Sequence, residues 1–174
     1  MRRGGPPRGP VNRRMWRADL AYAIGLLVTD GHLSIDRRHI VFVSAEMEQI
    51  ETFRRILELR NPIRRQPPGG LGIPTLQVQF GDRLLYDWLV AIGFTARKTY
   101  TIGRLSIPDE FFPDFLRGHL DGDGSIVAYI DRFQTRLKPE YVYQRLYVRF
   151  LSASRPHIQW LQEPLRHSWG WMAT

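Results

Sequence analysis

Two aspartates draw attention because each closes a copy of the same short segment. Tyr22-Ala-Ile-Gly-Leu-Leu-Val-Thr-Asp-Gly31 resembles Phe115-Leu-Arg-Gly-His-Leu-Asp-Gly-Asp-Gly124 at an offset of 93 residues. Gly25, Leu27, Asp30 and Gly31 then align with Gly118, Leu120, Asp123 and Gly124. A lone Asp-Gly reads as a helix end; a repeated pair points to chemistry. Ala21, Gly25 and Thr29 recur on one helix stripe, and Asp114, Gly118 and Gly122 on the other. Small residues at that spacing let two helix backbones approach closely. Such packing brings Asp30 and Asp123 together at two helix C-termini, where paired carboxylates are electrostatically unfavourable. A divalent cation relieves the repulsion, and hard oxygen ligands without a His or Cys cluster favour Mg²⁺. A metal held there could activate water and stabilise a leaving oxygen, the chemistry of phosphodiester hydrolysis.

The elements that must position these acids follow from the same repeat. A second block, Phe42-Val-Ser-Ala45, recurs as Phe150-Leu-Ser-Ala153 at an offset of 108, so the second copy carries 15 extra residues. Their place is expected in a hairpin loop near Gln134–Tyr143. In the first copy the pattern predicts a helix over 16–30, stopped at Gly31 by a left-handed cap. A hairpin follows, with strands 33–35 and 39–44, then an amphipathic helix over 46–59. A second hairpin is expected from 71–73 and 75–80, then a helix over 82–92 and an irregular connector over 94–108. The second copy reads as helix 109–122, strands 125–133 and 143–152, and helix 155–166. The fold class is therefore α+β, two α-β-β-α-β-β-α units over 18–108 and 109–174. The second unit lacks its second hairpin and last helix, so the chain reads as a truncated or partial product.

Composition narrows the partners. The chain has 174 residues and a formal net charge of +8. Six arginines and no acid fall in residues 1–17, which read either as a disordered basic arm for polyanions or as an extension without a role. Cysteine is absent, which removes disulfide scaffolds, Cys-based zinc fingers and thiol nucleophiles and fits a reducing, intracellular compartment. No apolar run is long enough for a membrane span, and no apolar core follows the N-terminal arginines as in a secretory signal. His32, His39 and His119 show no metal-ligand spacing.

The two segments, Ala23–Gly31 and Leu116–Gly124, resemble the motif of the LAGLIDADG homing endonucleases, and the resemblance covers residues 19–166. The copies differ in sequence, which resembles the single-chain, two-motif branch and implies a monomer with pseudo-twofold symmetry. The resemblance implies that Asp30 and Asp123 hold the metal, with backbone carbonyls of the preceding Thr29 and Gly122 as further ligands. It implies a basic residue near the metals, and Lys98 is the candidate, with Arg97 beside it. Glu46 and its counterpart Ser154 occupy the place of a water-orienting polar residue, although a helix-terminal charge is the plainer reading of Glu46. Asp121 matches an earlier acid of the motif, but Val28 stands in the first copy, so Asp121 reads as helix-interior or solvated.

The strands should carry the contact surface. Arg145, Tyr147 and Arg149 alternate with apolar residues, and so do Thr75, Gln77 and Gln79. A two-stranded ribbon fits the DNA major groove, where Arg and Gln reach base edges; an ordinary solvated sheet face is the plainer alternative. Arg64, Arg65, Arg132 and Arg136 read as phosphate contacts. The resemblance implies an intron-encoded endonuclease making sequence-specific, Mg²⁺-dependent double-strand breaks in DNA. The rivals are an RNA-binding maturase of the host intron and a decayed fragment that only binds.

Overall fold

The computed structural model describes residues 13–67, 72, 74–136, 138 and 140–169. It is a mixed α+β fold. Helix α1 (Ala18–Asp30) leads into strands β1 (Gly31–Leu33) and β2 (His39–Ser44), then helix α2 (Met47–Ile56). Strands β3 (Ile63–Gln66) and β4 (Thr75–Gly81) precede helix α3 (Arg83–Ala91) and the single turn α4 (Lys98–Thr101). The second copy opens with a 3-10 turn at Asp109–Phe111 and helix α5 (Phe112–Asp123). Strands β5 (Ser125–Asp131) and β6 (Tyr143–Arg149) and helix α6 (Arg155–Trp169) follow. No helix among the described residues is long and apolar enough to cross a membrane.

The two sequence offsets reappear as strand register. Offsets of 93 and 108 carry the β1–β2 pair His32↔Val41 onto Ser125↔Arg149, and Leu33↔Ile40 onto Ile126↔Val148. Past that point the first hairpin closes at once, with the Ser34 N–H donating to the His39 carbonyl at 2.9 Å. The second runs on through Ala128↔Leu146, Tyr129↔Arg145, Ile130↔Gln144 and Asp131↔Tyr143. Eight of the extra residues therefore lengthen the ribbon, and the rest enlarge the connection over 132–142.

Beyond the ribbons the halves diverge. In the first, β4 pairs with the outer edge of β2, giving the order β1-β2-β4-β3. Ile40, Phe42, Val78 and Phe80 face inward beneath α2 and α3 and are fully buried or nearly so. The partner of β4 is Ile63–Gln66, not the expected 71–73; Leu71 and Ile73 lie outside the described residues. Among the described residues the second half has β5 and β6 alone. One core nonetheless runs from Leu20 and Ile24 on α1 through Phe53 and Phe94 to Phe115, Trp160 and Leu161.

Two expectations need correction here. Gly31 and Gly124 do end their helices, but with φ −101° and −97° both are extended, not left-handed. Glycine is required instead because a Cβ at Gly31 would lie 2.8 Å from the Leu27 carbonyl oxygen, and one at Gly124 2.5 Å from that of Leu120. Nor is all of 1–17 a free arm. Arg13 pairs with Asp82 at 2.9 Å, Arg17 donates to the Ile56 carbonyl at 2.8 Å, and Trp16 packs on Trp88 and Phe111. Residues 1–12 lie outside the described residues.

Candidate active site

The acids owe their position to a seam without side chains. A Cβ on Gly25 would lie 2.6 Å from the His119 nitrogen and collide with the Phe115 carbonyl; one on Gly118 would run into the Tyr22 backbone. At the end of the seam, a Cβ on Gly122 would stand 3.0 Å from Asp30 Oδ2. Backbone thus meets backbone at Gly25 and Gly118, Gly122 one turn on leaves room for the Thr29 and Asp30 side chains, and Asp30 and Asp123, the last residue of each helix, lie close enough to interact electrostatically. Burial raises the Asp30 pKa, and the Asp123 charge raises it further; the Thr29 hydroxyl and Lys98 act in the opposite direction. Asp123 is exposed where Asp30 is half-buried.

Lys98 reaches this point from α4. Its Nζ donates to the Val28 carbonyl at 2.5 Å and to the Thr29 carbonyl, the last-turn acceptors of α1. The turn is held by the Ile102 N–H, which donates to the Lys98 carbonyl at 3.0 Å, with the Ile102 side chain buried. Burial lowers the lysine pKa to about 8, against the opposing pull of Asp30 and then Asp123. The ammonium is therefore a cation coupled to both acids. Arg97, its neighbour, is exposed at the N-cap of α4.

The repeat-equivalent of Val28 is Asp121, and its carbonyl is capped differently. Gln49 Nε2 donates to it at 2.7 Å, and the amide oxygen of Gln49 accepts from Ser44 Oγ at 2.9 Å. The Asp121 side chain, exposed in the last turn of α5, accepts from the Tyr22 hydroxyl at 2.9 Å, and the Arg117 guanidinium lies 4.7 Å above the Tyr22 ring. Burial and then Asp121 push the Tyr22 pKa up to about 12. Gln49 and Tyr22 were not singled out in the sequence. Gln49 had a usable signal: it aligns with His157 at the 108-residue offset. His157 is turned elsewhere, its Nδ1 2.8 Å from the Gly103 carbonyl. Ser154 is buried and donates to the Ile102 carbonyl, away from the acids, whereas its counterpart Glu46 is exposed at the start of α2. An open groove of about 390 Å³ beside the Tyr22–Asp121 latch is lined by Glu46, Glu48, Gln49 and Thr52, and by neither Asp30, Asp123 nor Lys98.

The oxygen donors at this point are few. Among the described residues no three His, Asp or Glu side chains are placed to hold a metal ion together. What converges is a carboxylate pair at two helix ends, with Thr29's carbonyl already accepting from Lys98. Two carboxylates fall short of the four ligands of a structural zinc site. No family model and no curated protein matches the chain.

The strand faces carry the remaining candidates. Thr75, Gln77 and Gln79 share the outer face of β4, joined by Arg64 opposite Gln77 and by Gln66, whose amide donates to Gln77 at 2.7 Å. Arg65 pairs with Leu76 and so belongs to the opposite face, which separates it from that row. On the ribbon, Arg145, Tyr147 and Arg149 share one face, as expected. Tyr147 stacks on Tyr129 at 5.8 Å, and Arg145 is tied to Asp131 at 2.7 Å. Arg132 and Arg136 are exposed in the connection beyond.

Proposed function

We propose that this chain is a LAGLIDADG-type homing endonuclease that cuts double-stranded DNA at a specific site with Mg²⁺. The observation that supports the reading is the α1–α5 glycine seam with a repeat-equivalent aspartate at the end of each helix, beside which Lys98 of α4 donates to the Val28 and Thr29 carbonyls. The finer architecture proposed is the saddle of that family, two pseudo-symmetric units in a monomer. Asp30 and Asp123 would hold the ion, with the Gly122 carbonyl at the same helix end. When bound, Mg²⁺ supplies charge neutralisation at phosphate and a more acidic water. Lys98 adds positive charge beside the scissile phosphate. The row Thr75, Gln77, Gln79 with Arg64, and the ribbon face Arg145, Tyr147, Arg149, would meet base edges, with Arg65, Arg132 and Arg136 on phosphates.

The test is a supercoiled plasmid library with random inserts, incubated with the chain and Mg²⁺, its cut ends sequenced. Recurrent cleavage at one site is expected. Asp30→Asn or Asp123→Asn should lower it by at least about a hundredfold, several kcal/mol of transition-state stabilisation, with DNA binding kept. Undiminished cleavage by the double variant rejects the metal assignment. One observation favours a second reading, binding without cutting: the β5–β6 ribbon is open on both faces, so half of the contact surface lacks support. Retention of host-intron RNA in preference to duplex DNA would favour the maturase form of that reading.

A further inference from the structure

We propose that the bare edge of β6 pairs with β6 of a second copy of this chain, antiparallel about Leu146, so that two β5–β6 ribbons join as one four-stranded sheet. The inference is independent of the nuclease reading. The α1–α5 seam is filled within one chain, and the contact proposed here joins two such chains through their ribbons.

The repeat says which edge takes a strand and in which direction. β2 has β1 on one side and β4 on the other, both antiparallel. Its equivalent, β6, has β5 alone among the described residues, which leaves a row of backbone N–H and C=O groups without a strand. The outer edge of β5 corresponds to that of β1, which is open in the first half as well. The edges of the first sheet are short: β1 has three residues, and β3 is Ile63-Arg-Arg-Gln66. β6 runs to seven residues with neither Lys nor Pro. A long edge of that kind accepts a further strand.

The sequence of β6 fits itself. About Leu146, the antiparallel register sets Tyr143 against Arg149, Gln144 against Val148, and Arg145 against Tyr147 of the second copy. Each arginine then meets a tyrosine and none meets an arginine, which favours the pair. The pleat permits shifts of two residues only. Centring the pair on Arg145 or on Tyr147 sets arginine against arginine and pairs fewer residues. Within one chain Arg145 already lies 5.7 Å from the Tyr143 ring and is neutralised by Asp131 at 2.7 Å. On the other face the register places Leu146, 65% exposed in the single chain, beside its own copy. Ile126, Ala128, Ile130, Gln144 and Val148 complete that face, which carries no charge. Joining the edges removes apolar surface from water there.

The chain has no cysteine, so one introduced thiol reports the register. Partners on an antiparallel ladder stand about 4.5–5.5 Å apart at Cα, within disulfide reach. Full-length Leu146→Cys under mild oxidant should therefore link to its own copy as a covalent dimer. Val148→Cys alone should not, because its copy lies about 14 Å along the strand. Mixed with Gln144→Cys, it should give the heterodimer. In sedimentation velocity, wild type should pass from monomer to dimer as concentration rises. Leu146→Lys should weaken association at least about tenfold, and Ile126→Lys, on the same face but on β5, by less than about twofold. Equal losses in both mean that the apolar faces stack instead, which overturns the edge pairing. Self-linking by Val148→Cys but not by Leu146→Cys overturns the register. Wild type that stays monomeric at every concentration overturns the proposal and leaves the edge to a strand of another polypeptide. If Leu146→Cys does not fold, the Gln144→Cys and Val148→Cys mixture decides, and absence of the heterodimer overturns the proposal.

Discussion

The first ribbon, β1–β2, and the second, β5–β6, share a register and differ in everything that surrounds it. Ile40 in the first is fully buried; its repeat-equivalent Val148 in the second is 38% exposed. The difference comes from neighbours. β2 has β4 on its outer edge and α2 and α3 over its inner face, while among the described residues β6 has neither. An apolar alternation therefore states which face a strand would bury, not that the face is buried. A two-stranded ribbon alone is marginal in water. What keeps the second half folded is the helix layer: α5 against α1, and α6 seated through His157, Trp160 and Leu161.

The comparison can be broken most forcefully at the seam the halves share. Gly118→Ala sets a methyl against the Tyr22 backbone, which cannot move aside like a side chain. The loss should reach or exceed the upper end of the roughly 1–3 kcal/mol usual for overpacking. It should appear in thermal melts as loss of both halves together; a second half that melts alone would deny the shared core. Next comes the equivalent pair itself. Ile40→Ala should destabilise by about 2–5 kcal/mol and Val148→Ala by less than about 1 kcal/mol in denaturant titrations. Equal losses would mean that the second ribbon is covered after all.

The last expected effect needs no substitution and concerns acid. His119 and His157 stack 5.3 Å apart, both buried, with His119 Nδ1 and His157 Nε2 lacking hydrogen-bond partners. Burial holds the His119 pKa down at about 4, with the neighbouring His157 and Lys98 charges adding to the effect; burial likewise lowers that of His157. Below the unfolded value near 6.5 the unfolded chain binds protons that the folded chain refuses. Stability should therefore fall as pH drops from about 6.5 to 4, by about 2–3 kcal/mol from His119. His119→Gln should flatten that slope. A melting temperature independent of pH across the window would show that the rings are not held neutral.

Legibility followed the physics of each signal. The seam could be read because only small residues permit backbone contact, and Gly25 and Gly118 advertise it. The equivalence of the two ribbons could be read because two offsets align their residues, whereas which residues pair across each ribbon has no signal in the sequence. The caps at Gly31 and Gly124 were read correctly as helix ends but for a wrong cause, since a glycine forced by a near carbonyl looks the same in sequence as one chosen for positive φ. Strand β3 was missed because Ile63-Arg-Arg-Gln66 is an edge with one apolar residue, and edges carry charge. Arg13 to Arg17 looked like tail because polar residues show no period, yet Trp16 and two arginines dock it. The Gln49–Asp121–Tyr22 latch spans up to 99 residues and has no local pattern at all.

The four added rungs of the β5–β6 ribbon carry a consequence of scale. At about 3.4 Å per residue they lengthen it by about 14 Å. Along a duplex, where each base pair advances 3.4 Å, that is the span of about four base pairs. Under the proposed reading, the chain would touch its target unevenly: a short, stiff hand on one side of the cut, and a longer, more pliable finger on the other.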